Sequence, residues 1–385
     1  MKDDVLHWAA GHPTAKRPSK ETLNHRGIIE LVSGLDVYKK TAEAYRRAYA
    51  ALGIDLINRV PLESEKALRA VPVGTTRAHP TLPYDYASLG VFDAAMRRSY
   101  LCKTVEDVWQ LDVASLDYGE LITPVPHSCA AADIAQRHAA LGPVGLYYPM
   151  LYTTLFMWPV ETLGWEVFLT AAATEPDRFH KHFLLPCAQK SKALVTQMVA
   201  ADDSPFLFIH DDLSSATGPI FRPSWYRDHV FPWYPEIWSA AKQQGRKVIF
   251  VADGNMTAFL PDLIEAGVDG LMFENPATPL EAVIDHFGFA NRFMIGGIET
   301  TRLAHGTPDE VRRMVLRVHE KTADCPGFAM ASCGGLHGEL PLANLEAYFD
   351  TRAEIGFTPN DWRTCCREKF HIGEKNNLQA ITRPV

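Results

Sequence analysis

Two short apolar runs in this chain each stop at a carboxylate. "VIFVA" ends at Asp253 and "GLMF" ends at Glu274, with the helix-like "MTAFLPDLIEAG" between them. The pattern of apolar run, polar tip and helix recurs along the chain. "IDLINRVP" ends at Asn58, "PVGLYYP" carries Tyr147 and Tyr148, and "PFLFIHDD" is tipped by His210, Asp211 and Asp212. "RFMIGGIE" ends at Glu299, "GFAMASCGG" carries Cys333 with His337 shortly after it, and Asn255 follows Asp253. Carboxylates that share a poorly solvated cleft raise one another's pKa, and a carboxyl held protonated near neutral pH can serve as a general acid. Thiolate, imidazole and carboxylate are also zinc donors. Cys333, His337 and Asp253, with His210 as a further candidate, could fill a tetrahedral site with one open position. Each tip residue by itself has a plainer use, capping the next helix or satisfying loop amides. Of the adjacent Asp211 and Asp212, one must point away from the face the other occupies.

These residues make a site only if the fold gathers the strand ends. From residue 131 onward, short apolar strands alternate with helices. "AADIAQRHAALG" closes at Gly142, and a long helical stretch breaks near Gly164 and at Thr174-Glu175-Pro176. "TPDEVRRMVLRVHEKTA" has Thr307 as N-cap, Pro308 at the first helical position and Glu310 three residues after the cap. Seven to eight such strand–helix units indicate a parallel sheet with helices outside, over a length that fits a (β/α)8 TIM barrel, an α/β fold. A doubly wound sheet is the competing architecture, and no G-x-G-x-x-G turn follows any strand to support it. Residues 1–53 read as an N-terminal helical extension and 54–385 as the barrel. An irregular insertion at about 62–125 lies over the mouth and contains one short helix, "TVEDVWQL", with Thr104 as N-cap. In such a barrel the strand ends meet at one mouth, and the acids stop the strands because a cavity begins there.

Composition narrows the function classes. The formal net charge is −8, and the Lys and Arg residues are scattered along the chain, which argues against nucleic-acid and anionic-membrane partners. No apolar run reaches the roughly 18–20 residues of a membrane helix, and the first residues lack a secretory apolar core. The 7 cysteines have no regular spacing and read as reduced thiols, so a cytoplasmic location is expected. A homodimer is compatible with the closing helix "PLANLEAYFDTRAEIG" and the tail after residue 357.

Four stretches together, "HDDLSSATGPIFRPSWYRDHVFPWYPEIW", "VADGNMTAFLPDLIEAGVDGLMFENPAT", "MIGGIETTRLAHGTPDEV" and "CGGLHGELPLANLEAYFD", resemble the uroporphyrinogen decarboxylase superfamily. The resemblance covers about residues 130–357, and "KTVEDVWQLD" extends it weakly upstream. It implies a (β/α)8 barrel. The porphyrinogen decarboxylases hold their many substrate carboxylates with an N-terminal R-Q-A-G-R-Y motif. Here Arg17 and Arg26 stand in "TAKRPS" and "LNHRGI" instead, and arginine is the bidentate partner a carboxylate wants. The other branch is similar to corrinoid-dependent methyltransferases. Its zinc members carry H-x-C on one strand and a later Cys, which fall here on Val251-Ala252-Asp253 and on Cys333. Two of the three familiar zinc ligands are therefore absent, one of them replaced by the hard carboxylate of Asp253, and only Cys333 matches.

The resemblance implies transfer of a methyl group from a small methoxy or methylamine compound to a corrinoid on a partner protein, since no D-x-H-x-x-G signature occurs in this chain. The leaving oxygen or nitrogen then needs a proton. Glu274 or Asp212 is the expected acid, with His210 orienting it. Asn58, Tyr148, Asp253, Asn255, Glu299 and His337 are expected around the substrate. A decarboxylase or other lyase with Asp212 as proton donor is the alternative enzyme, and a binding protein that keeps only the pocket is the non-enzymatic one.

Overall fold

The computed structural model describes residues 2–12, 14, 16–62, 100–116, 131–332 and 334–364. Its parallel strands are β1 (Ser19–Lys20), β2 (Leu56–Ile57), a third strand in two pieces, β3a (Leu146–Tyr147) and β3b (Met150–Leu151), then β4 (Phe206–His210), β5 (Lys247–Ala252), β6 (Gly270–Phe273), β7 (Phe293–Ile298) and β8 (Phe328–Ser332). The sheet runs β3a-β2-β1-β8-β7-β6-β5-β4-β3b. Its two ends are halves of one segment, residues 146–151, so the sheet closes into an eight-stranded barrel with no free edge. The expected (β/α)8 architecture is what the structure has.

The ring closes where β1 enters between β8 and β2, with Ser19 opposite Met330 and Lys20 opposite both Ala331 and Leu56. The boundary expected at residues 53/54 therefore falls inside the first βα unit. Residues 19–20 are barrel wall, and the helices Arg26–Ser33 and Thr41–Leu52 follow β1 as its outer layer. A two-residue strand spelled Ser-Lys carries no apolar periodicity, which is why "RPSKETLNH" does not read as a strand. Local signals fared better. Thr307 and Glu310 form a reciprocal capping box on Pro308–Lys321, and Thr104 and Asp107 form another on Val105–Gln110. Gly142 and Gly245 stand in left-handed conformations just after their helices. Of the insertion expected at 62–125, residues 63–99 and 117–130 lie outside the described residues. The part between them packs beside the following helices through Arg178 over Trp109 and His182 on the Val108 carbonyl.

Two apolar cores result. The larger lies between sheet and helices, while the smaller fills the bore with Leu56, Leu146, Tyr148, Met150, Phe206, Phe208, Ile249, Val251, Phe293, Ile295, Ala329 and Ala331. The helix Lys2–Ala9 closes one end of the bore. Trp8 packs on Phe206 and Phe293, the first residues of their strands, with ring centroids 5.6 and 4.8 Å away, and its indole N–H donates to the Pro326 carbonyl at 3.1 Å. Because parallel neighbours in register share a face, the inward layers can be followed around the ring. Phe208 sits beside Met150 and Ile249, and one layer higher His210 sits beside Val251 and then Met272. The bore is thus apolar and plugged at the strand starts and becomes polar at the strand ends, the end where barrels of this type carry their sites. Among the described residues, no helix is long and apolar enough to cross a membrane.

Candidate functional site

His210 is the last residue of β4 and faces into the bore. Its Nδ1 lies 2.6 Å from the Tyr152 carbonyl oxygen, and the Tyr152 ring stacks on the imidazole with centroids 4.5 Å apart. A ring nitrogen facing a carbonyl oxygen must donate, so the proton sits on Nδ1. Nε2 faces Asp212 Oδ1 at 3.2 Å. A bare lone pair there would repel the carboxylate, so a positive charge belongs between them, and a proton on Nε2 supplies it. Burial works against a charged imidazole, but Asp212, then Asp253 and the Tyr152 carbonyl, outweigh it and push the His210 pKa up to about 9. The bond is mutual. Burial disfavours the Asp212 carboxylate, yet His210 and the Asp253 backbone N–H, which donates to Asp212 Oδ1 at 2.8 Å, hold its pKa below the ordinary value.

Asp253 follows β5 and completes the group: His210, Asp212 and Asp253 bring their ligating atoms within 4.8 Å of one another. Asp253 keeps solvent-exposed surface although protein surrounds its carboxyl closely enough to disfavour the charge. That enclosure, with the negative charges of Asp212 and Glu274, outweighs His210 and Lys20 and raises its pKa to about 7. Glu274, at the tip of β6, accepts the Gly254 N–H at 3.0 Å. Gly254 has φ 77° and lies under the Ser214–Pro219 hairpin, where a Cβ would come 2.4 Å from the Ser214 carbonyl oxygen. Only glycine fits there, and this close approach fixes the direction of Asp253.

The remaining expected residues are placed more widely. Asn255 Oδ1 accepts the Thr257 N–H at 3.1 Å, a local cap on the turn after β5. Asn58 is buried at the end of β2, 3.5 Å from Thr22 Oγ1. Tyr148 is fully buried within the bore and stacks on Phe208 at 3.7 Å, and its hydroxyl has no hydrogen-bond partner among the described residues; burial and then Tyr147 hold its pKa well above normal. Glu299 is half-buried at the end of β7, just before the helix Thr300–His305. His337 is buried on the far side of the mouth, where residues 335–337 run beside the continuation of β1 through the Leu23–Leu336 bridge. Burial lowers its pKa, with Glu339 opposing. Its electrostatic neighbour is His25, and it does not share the His210–Asp212–Asp253 group. Cys333 lies outside the described residues; of the described metal candidates, Asp253 and His210 stand in one metal-competent cluster, joined by Asp212, and His337 does not. An imidazole whose second nitrogen is held by a carbonyl is also how proteins orient a metal-bound histidine, so these three could hold a divalent cation.

Asp211 points away from this group. It accepts the N–H groups of Leu155, Phe156 and Met157 at 2.9, 2.8 and 2.7 Å and the Tyr234 hydroxyl at 2.9 Å. It ties β4 to the helix Met157–Leu163, which is structural work. Two residues at the mouth were not anticipated, Lys20 and Tyr152. Tyr152 could have been read from the alternation Leu146, Tyr148, Met150, Tyr152, whose members face the bore. Lys20 had no local signal.

A sequence profile described as uroporphyrinogen decarboxylase (URO-D) matches residues 154–355, more than half of the 385-residue chain. The chain belongs to the uroporphyrinogen decarboxylase family. The match covers β4 to β8 and thus every residue of the His210 cluster, and it agrees with the stretch that carried the resemblance. No curated protein sequence matches the chain. Among solved structures, this family member is similar to a methyltransferase from Methanosarcina mazei, with a TM-score of 0.58 at 15% identity over 92% of this chain and 98% of that one. At that identity the likeness speaks to the fold. A second solved structure, a putative vitamin-B12 independent methionine synthase from Listeria monocytogenes, aligns over 90% of this chain and 96% of its own at 11% identity, but its TM-score of 0.43 is too low to argue from.

Proposed function

We propose that this protein is a methyltransferase that takes a methyl group from a small methoxy or methylamine compound, with a corrinoid on a separate protein as acceptor. One observation carries the reading: Asp253, a carboxyl whose pKa is raised to about 7, is held within 4.8 Å of the His210–Asp212 pair at the strand ends of the barrel. Departure of a methyl group leaves a basic oxygen or nitrogen, and a carboxyl with a pKa of about 7 is matched to protonate it near neutral pH. The assignment of acid differs from the sequence-based expectation. Asp212 is kept ionised by His210, so Asp253 becomes the donor. Asp212 locks the imidazolium in place, and His210 and Glu274 set the charge around Asp253. The corrinoid, when present, supplies the nucleophile for the methyl carbon. Lack of an R-Q-A-G-R-Y motif removes the arginines that a porphyrinogen substrate would need, and the fold's likeness over nearly its whole length to the methyltransferase from Methanosarcina mazei is consistent with this choice.

The test is to mix the purified protein with reduced free cobalamin and a panel of methoxy and methylamine compounds and to follow methylation of the cobalamin. A donor that reacts with the wild type and fails with Asp253→Asn supports the reading. If no member of the panel methylates cobalamin while a small carboxylic acid releases carbon dioxide, the lyase alternative replaces it.

A further inference from the structure

We propose that Lys20 is the cationic end of the substrate site, and that the substrate carries a carboxylate or another anionic oxygen opposite its methyl group. The methyl part of this statement rests on the methyl-transfer reading above; the anionic part stands on the following geometry.

Lys20 lies in register with Leu56 and Ala331, both of which face the bore, so its side chain enters the barrel. Its neighbour Glu21 points outward, to Ser332 and Tyr348. Lys20 is 2% exposed. Its ammonium donates to Thr22 Oγ1 at 2.7 Å, one layer nearer the mouth, and Thr22 in turn lies beside Asn58. In a ring of eight, β1 stands diametrically opposite β5, which carries Asp253. The Lys20 charge nevertheless acts on Asp253 across the bore. The floor of the site is therefore bounded by a cation on the β1 side and by the His210–Asp212–Asp253 group on the β4–β5 side. An ammonium held by a hydroxyl at the bottom of a polar mouth is suited to an incoming anionic oxygen, which gains strength from the low local dielectric. A small molecule anchored at Lys20 would present its far end to Asp253.

Isothermal titration without any corrinoid reads this directly. The probes are 4-methoxybenzoate, methoxyacetate and N,N-dimethylglycine, each against its primary amide. The wild type is expected to bind at least one carboxylate tenfold or more tightly than its amide. Lys20→Met should erase that preference by weakening carboxylate binding far more than amide binding, and Lys20→Arg should restore part of it. Thr22→Val, which keeps the charge but removes the hydroxyl that aims it, should reduce the preference several-fold and serves as the test if Lys20→Met does not fold, as judged by its circular dichroism melt. No carboxylate preference in the wild type, a preference that survives Lys20→Met, or one left undiminished by Thr22→Val overturns the proposal. A Lys20-dependent preference without methylation of cobalamin leaves the anion site standing and removes the methyl-transfer reading.

Discussion

Replacing Asp212 by Asn tests the electrostatic argument at its root. In the wild type the His210 pKa is lifted from 6.5 to about 9 although the ring is almost wholly buried. That lift corresponds to a preference for the imidazolium on the order of 3 kcal/mol, and Asp212 is the largest favourable contributor. Asp212→Asn removes the charge and keeps the shape. Burial then dominates, and His210 should titrate below 6.5. Asp253 loses its strongest like-charge neighbour and should become more acidic than its present value of about 7. The sign for stability follows from linkage. A raised imidazole pKa contributes stability that is full below 6.5 and is lost as pH climbs through about 9. The gap in unfolding free energy between wild type and variant should therefore be widest just below pH 6.5 and should narrow towards pH 9. Nitrogen-15 NMR of labelled histidines reads the ring charge, and denaturant melts at several pH values read the gap. A His210 that is neutral at pH 7.5 in the wild type, or one that still titrates near 9 in Asp212→Asn, would refute the reasoning.

Other outcomes follow from the same structure. With Asp253 as proton donor in its protonated form, kcat/KM for methyl transfer should be full below about pH 7 and fall above it, with a further loss as His210 deprotonates near 9; Asp253→Asn should lower the rate and abolish the first limb in a pH–rate profile. Asp211→Ala should cost roughly 3 kcal/mol or more, because buried N–H groups of residues 155–157 and the Tyr234 hydroxyl lose their acceptor; chemical denaturation checks this, and an effect below about 1 kcal/mol would contradict the anchoring role. Trp8→Ala should destabilise by about 3–5 kcal/mol by opening the plugged end of the bore, while the His210 titration seen by NMR stays where it was. Gly254→Ala should cost at least about 1–2 kcal/mol for its left-handed backbone and should displace Asp253, seen as a shift in the lower pKa of the pH–rate profile.

Much of the frame could be read from the chain because it rests on local physics. Apolar runs that stop at Asp253, Glu274 and His210 do mark the strand ends, and the capping boxes at Thr104 and Thr307 are written in four residues each. Spacing also implied that only one of Asp211 and Asp212 could face the mouth. The first strand escaped because Ser19–Lys20 becomes a strand only by hydrogen bonding between β8 and β2, partners more than 300 and about 35 positions away. Lys20 escaped for the same reason, since nothing near it in sequence says that it faces Asp253.

The order of strands and helices, the polar tips and the membership of a known family were fixed by residue identity and spacing. Which tips meet, and in which charge state, was decided by the closed sheet. Side-chain period and helix capping act over a few residues, whereas the ionisation of His210, Asp212 and Asp253 depends on burial and on charges a few ångströms away through space. Those distances exist only once β4, β5 and β6 lie side by side.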